Sequence, residues 1–232
     1  MPLPLTFLLQ LSDSAFPTGG FAYSSGLEAL ARAGRLTTPA RLQEYLVAHA
    51  RQAVTSDLAY VAAAHAASDP SHEVFDAVCA EWDATLWNTG MRTASLRQAR
   101  ALLDVAVETC AHPGISALRA HRENASGDSA PLHYAPALGR VLGLLGASRA
   151  QACLLYLHGL VRDQAAAAVR LGIIGPRAAQ AMQAEALRTA EAEIGGEAAS
   201  AVPPVSAARR TAPLVETGQG GHAWLYSRLF QN

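Results

Sequence analysis

Residues 148–176 read SRAQACLLYLHGLVRDQAAAAVRLGIIGP, and this stretch decides the fold class. Ser148, with Gln151 three residues on, is a capping box that opens a helix. Leu154, Leu157, Val161, Ala165 and Ala168 then recur at helical spacing and make one apolar stripe. Ala165 to Ala168 is an unbroken run of the strongest helix former, and Gly175-Pro176 stops this helix while starting the next. The spacing predicts a helix over 149–173. Its small side chains let a second helix approach toward the short end of the range of about 8–10 Å, which places it at the centre of a helical domain.

The same pattern extends in both directions. Leu96, Ala99, Leu103, Ala106 and Cys110 form a second stripe; Val74, Val78, Trp82 and Leu86 form a third. Period-two alternation rich in β-branched residues is missing. Thr38-Pro39 reads as N-cap and first helical residue, Ser56-Asp57 interrupts and restarts the following stretch, and Ser71 with Glu73 opens another helix. The expected helices lie near 21–33, 38–54, 57–67, 71–88, 92–110, 134–145, 149–173 and 176–194. Asn124 to Pro131 reads as a polar loop. The fold expected is all-α: a single globular domain of about eight to ten helices over residues 1–208. A C-terminal tail over 209–232 follows, loop-like from Arg209 to Gln219 and ending in Trp224, Leu225, Tyr226, Leu229 and Phe230.

Composition narrows the function. The chain has 232 residues, 50% hydrophobic and 16% charged, with a formal net charge of -1. That is ample for one core and too apolar for a disordered chain. It lacks the basic excess of a nucleic-acid or membrane-surface binder. All the cationic side chains other than histidine are arginine, so a phosphate loop or a Schiff base has no lysine to use. The apolar start lacks a basic region and a cleavage site, so no secretory signal is expected. Cys79, Cys110 and Cys153 are scattered and form no metal framework. A reducing cytoplasm is the expected compartment.

No chemistry-bearing constellation emerges. His49 and His65 lie on alanine-rich helices, His49 with no carboxylate or histidine at i+4, and His112, His121 and His133 fall in or beside loops. Arg162 follows His158 at i+4 and would repel a metal. Only His222, in a glycine-rich segment, sits where a mobile ligand could work. No metal site, cofactor or enzymatic activity is expected, and binding is favoured over chemistry.

Two long motifs add to this reading. Residues 8–28, LLQLSDSAFPTGGFAYSSGLE, strongly resemble the opening of the UreF family of urease accessory proteins. Thr211-Ala-Pro-Leu, Glu216, His222 and Tyr226-Ser-Arg-Leu-Phe230 resemble its C-terminal end. Arg92-Thr-Ala-Ser95, His133-Tyr134 with Gly139, and Ala166 to Gly172 fall between them in the family's order. Gln98-Ala99 stands where the family usually has Met-Gly. The resemblance implies an all-helical, homodimeric nickel-insertion chaperone that is not an enzyme. It implies binding to UreD (also called UreH), with which such proteins recruit the GTPase UreG to load nickel into apo-urease. An alternative is a regulator of the UreG nucleotide cycle, supplying an arginine such as Arg92, Arg97 or Arg170.

The partner-binding residues carried over are Tyr23, Ser24, Gly26, Leu27 and Glu28 with His222, Tyr226, Arg228, Leu229 and Phe230. Tyr23 and Leu27 are expected on one helical face and Ser24 and Glu28 on the next. Gly26, read as lying inside that helix, permits close approach of another backbone. The tail is expected to be mobile alone and ordered by UreD, with Arg228 as polar anchor and Phe230 as apolar anchor.

Overall fold

A computed structural model describes residues 3–67, 72–124, 131–195 and 199–231. They form α1 (Leu5–Ser12), α2 (Leu27–Arg32), α3 (Pro39–Thr55), α4 (Asp57–Ala66), α5 (Glu73–Thr85), α6 (Thr89–Cys110), α7 (Pro113–Glu123), α8 (Tyr134–Leu144), α9 (Arg149–Arg170), α10 (Pro176–Ile194) and α11 (Pro213–Gly221). Short 3₁₀ turns cover Gly20–Ala22, Val205–Ala207 and His222–Trp224. The fold is all-α, with no strand among the described residues. No helix among them is long and apolar enough to cross a membrane.

The helix starts follow local chemistry. The Ser148 hydroxyl accepts the Gln151 amide at 3.1 Å while the Gln151 side chain accepts the Ser148 amide at 2.7 Å, closing the capping box on α9. Thr38 caps α3 by accepting the Arg41 amide, with Pro39 at the first position. Asn88 accepts the amides of Gly90 and Met91, which starts α6 earlier than the expected residue 92. The Ser71 cap and most of the loop from Asn124 to Pro131 lie outside the described residues; α5 begins at Glu73 behind His72.

Helix α9 packs against α3, α4, α8 and α10, and also touches α1, α2 and the Gly20–Ala22 turn. Ala165, Ala167 and Ala168 are buried at these contacts. The closest crossing is α4 on α8. A Cβ on Gly139 would strike the carbonyl of Val61, and one on Gly143 the carbonyl of His65. Two glycines one turn apart on α8 therefore let the two helix backbones touch.

Four segments differ from the sequence expectation. Residues 21–33 are not one helix. After the 3₁₀ turn the chain is extended at Tyr23 and turns left-handed at Ser25 (φ 51°) and Gly26 (φ 91°), and α2 starts at Leu27. Gly26 is thus the residue before the helix, not inside it. Helices α1 and α7 were not expected. In α7, His112-Pro113-Gly114 looks like a turn, but Pro113 takes the first helical position and the His112 ring accepts the Gly114 amide at 3.1 Å. The segment expected as loop around Arg209 to Gln219 contains α11, whose Val215, Glu216, Gly218 and Gln219 are buried. It packs against α2, α3 and α6, so this part of the tail belongs to the helical body.

Candidate partner-binding site

The two ends of the chain meet at Glu28. This carboxylate lies in the first turn of α2, where the helix dipole favours negative charge, and is fully buried. Its Oε1 accepts the Leu229 amide at 2.8 Å. Its Oε2 accepts the Phe230 amide at 3.2 Å and faces His222 Nε2 at 3.1 Å. The Glu28 amide itself donates to the Ser24 hydroxyl at 3.3 Å. The Gln231 amide donates to the Ala22 carbonyl at 2.9 Å, and the Tyr45 hydroxyl to the Ser25 carbonyl at 2.8 Å. Behind Glu28, the Gly26 backbone lies against Gly218 and Gln219, too close for any Cβ. The close approach expected of Gly26 is real, and its neighbour is α11 of the same chain.

The ten predicted residues therefore share one region but not one role. Tyr23, Ser24, Gly26, Leu27, Glu28, His222 and Phe230 are buried within the chain. Tyr226 is fully exposed and Leu229 is 57% exposed. Arg228 is exposed and donates to the Ala223 carbonyl at 2.7 Å, bracing the tail on itself. Phe21 and Trp224, not among the ten, are exposed as well, at 54% and 90%. The buried set seats the tail; the exposed apolar side chains, Phe21, Trp224, Tyr226 and Leu229, are what another protein can touch.

Sequence reasoning missed the seat of α11. Glu216 Oε1 accepts Gln52 Nε2 at 2.7 Å and Arg210 Nε at 2.5 Å, and Glu216 Oε2 accepts Trp87 Nε1 at 2.8 Å. Gln52 Oε1 accepts the Ala212 amide at 2.7 Å. Arg210 Nη1 lies 3.7 Å from Asp57, and the Tyr156 hydroxyl donates to Asp57 Oδ2 at 2.7 Å. Burial raises the Asp57 carboxyl above its ordinary value, against the opposing pull of Arg210 and the Tyr156 hydrogen bond. Arg210 and Glu216 flank the Thr211-Ala-Pro-Leu motif, and their opposite charges six residues apart were the available signal. Their partners, more than a hundred residues away in the sequence, left none.

The central motifs serve packing. Asp83 on α5 accepts Arg92 Nε at 2.6 Å and His133 Nε2 at 2.8 Å, joining α5 to α6 and to the start of α8. Burial alone would raise Asp83, but these two hydrogen bonds outweigh it and hold the carboxyl low. The Tyr134 amide donates to Ser95 Oγ at 3.0 Å.

A cavity of about 100 Å³ is lined by Tyr23, His49, Asp57, Trp82, Tyr156 and Asp163 among others. That is well under the ~300 Å³ at which small-molecule sites begin. Burial, then the nearby Arg210, lowers His49 to about 3, against the hydrogen bond with Gln164. At neutral pH it is uncharged and engaged. Among the described residues no group of three or more His, Cys, Asp or Glu side chains is placed to hold a metal ion.

Comparison with known proteins gives a consistent picture. A family model described as UreF matches residues 36–187. The chain is 34% identical to "Urease accessory protein F" of Oryza sativa subsp. indica, an alignment spanning 95% of this chain and 82% of that protein. It is 32% identical to the protein of the same name in Arabidopsis thaliana, over 95% and 90% of the two chains. It is also 31% identical to "Urease accessory protein UreF" of Trichodesmium erythraeum (strain IMS101), over 97% and 95%. Both halves of the Glu28 region fall outside the stretch matched by the family model.

Proposed function

Because this chain belongs to the UreF family of urease accessory proteins, we propose that it is a scaffold for urease maturation. In this reading it binds UreD (UreH), and the pair recruits the GTPase UreG so that nickel, the cargo of the assembly, enters apo-urease. The protein works in the cytoplasm as a homodimer, without a cofactor of its own and without contact to nucleic acid or membrane.

One observation carries the reading. The N- and C-terminal motifs, some two hundred residues apart, close on each other at Glu28 and leave Phe21, Trp224, Tyr226 and Leu229 in solvent. Water-exposed aromatics concentrated at one place are the signature of a surface kept for another protein. The part of the tail proposed to reorganise on the partner is 223–232, since α11 is held in the body by the Glu216 network. Co-purification with UreD and UreG, followed by sizing, tests the assembly. The expected product contains all three proteins with two copies of this chain; a monomer that captures neither partner contradicts it.

Two of the arginines named for the regulator reading already have contacts within the chain. Arg92 is paired with Asp83 through Nε and Nη2, and Arg170 stands between two aromatic rings. Arg97 is not buried. Unchanged GTP hydrolysis by UreG when the complex carries Arg97→Ala is the outcome that favours the scaffold.

A further inference from the structure

We propose that Arg170 is the latch of a strap: by standing between Phe21 and Phe230 it sets how often residues 223–231 lift away from Glu28. Its guanidinium carbon lies 3.6 Å from the centre of the Phe21 ring and 4.2 Å from that of Phe230. The three groups come from three places. Arg170 is the last residue of α9, Phe21 sits on the Gly20–Ala22 turn, and Phe230 is near the chain end. Helix α9 is fixed in the body, and a cation at its C-terminus is favoured by the helix dipole. Arg170 is therefore the stationary side of the contact and Phe230 the moving side.

The strap has little else to hold it. Phe230 is the one buried side chain in 223–231, and the remaining hydrogen bonds to the rest of the chain are the amides of Leu225 on His222, of Leu229 and Phe230 on Glu28 and of Gln231 on Ala22. The arginine is not placed by hydrogen bonding. Its Nε and Nη2 are buried and find no hydrogen-bond partner among the described residues. The two rings and the electrostatic pull of the Asp163 carboxylate keep it there, and both donors regain water when the strap opens. Attraction by two aromatic faces and the cost of two unsatisfied donors oppose each other, which makes a contact that closes without locking.

The consequence for assembly rests on the reading of 223–232 as partner contact, and the test keeps the two apart. Amide hydrogen exchange is followed at Leu229 and Phe230 in the full-length chain, with the amides of α4 and α8 as internal reference. Arg170→Met should speed exchange at Leu229 and Phe230 by roughly tenfold, the loss expected from removing two cation–π contacts, and leave the reference unchanged. Phe21→Ala, at an exposed position that bears little on folding, should act in the same direction. Arg170→Lys, which keeps the charge but loses the flat face, should fall between. Unchanged exchange at both amides in Arg170→Met and Phe21→Ala overturns the latch, whatever the partner does. UreD should capture Arg170→Met, which leaves the exposed apolar side chains in place, at a higher rate than the parent chain. Faster exchange with an unaltered rate of capture leaves the latch standing and overturns the assignment of the tail as partner contact.

Discussion

Glu28 accepts from the Leu229 and Phe230 amides and faces His222, and an amide in its place cannot accept from all of them. Glu28→Gln turns one acceptor into a donor that faces N–H groups in a dry site. Its expected cost is about 1–3 kcal/mol, read from urea unfolding, with the Leu229 and Phe230 amides losing protection first. His49 gives a pH signature. Its folded value of about 3 lies below the ordinary 6.5, so the unfolded chain binds the proton more readily between those values. The stability His49 contributes is whole above pH 6.5 and is lost progressively as the pH falls toward 3, at up to about 1.4 kcal/mol per pH unit. Asp57, raised by burial, acts with the opposite sign above its ordinary value. The decisive comparison is therefore between variant and parent: His49→Gln should flatten the acid loss of stability measured by urea midpoints from about pH 7 to 4. An identical slope in the two proteins rejects the assignment.

At the scale of elements, the α4–α8 crossing depends on what Gly139 lacks. Gly139→Ala drives a methyl into the Val61 carbonyl, a backbone atom that has no rotamer to retreat to. A cost of about 1–3 kcal/mol is expected. Gly159, inside α9, has open space where a methyl would stand, with no atom within 4 Å, so Gly159→Ala should stabilise by about 0.5–1 kcal/mol. Thermal unfolding of the two variants side by side tests the packing, and equal shifts contradict it. The long helices were legible because periodicity and caps agree: α3 and α9 begin where Thr38-Pro39 and Ser148 with Gln151 place them. Helix α11 was not, because Gly218, Gly220 and Gly221 read as loop residues. In the fold Gly218 is what lets α11 lie on Leu30 and the Gly26 carbonyl, and tertiary packing overrides propensity. The break at Ser25-Gly26 was hidden for a related reason: a left-handed glycine before a helix and a glycine inside one look alike in a sequence, and only the approach of α11 separates them.

At the scale of the molecule, the terminal motifs pointed to one region of the fold, and the structure divides that region into buried and exposed side chains. Seven of the ten residues expected at a partner surface are inside the chain, because Glu28 can pair with backbone amides that carry no sequence signal. Tyr226 and Leu229, exposed like Trp224 and Phe21, are the side chains on which the proposed role depends. The direct test is co-purification of UreD with a chain carrying Trp224→Ala and Tyr226→Ala together. Both side chains are in solvent, so helicity and melting temperature should match those of the parent. The account predicts that UreD is no longer retained and that urease activation is lost with it. Retention of UreD at parental affinity by this correctly folded variant would contradict the account.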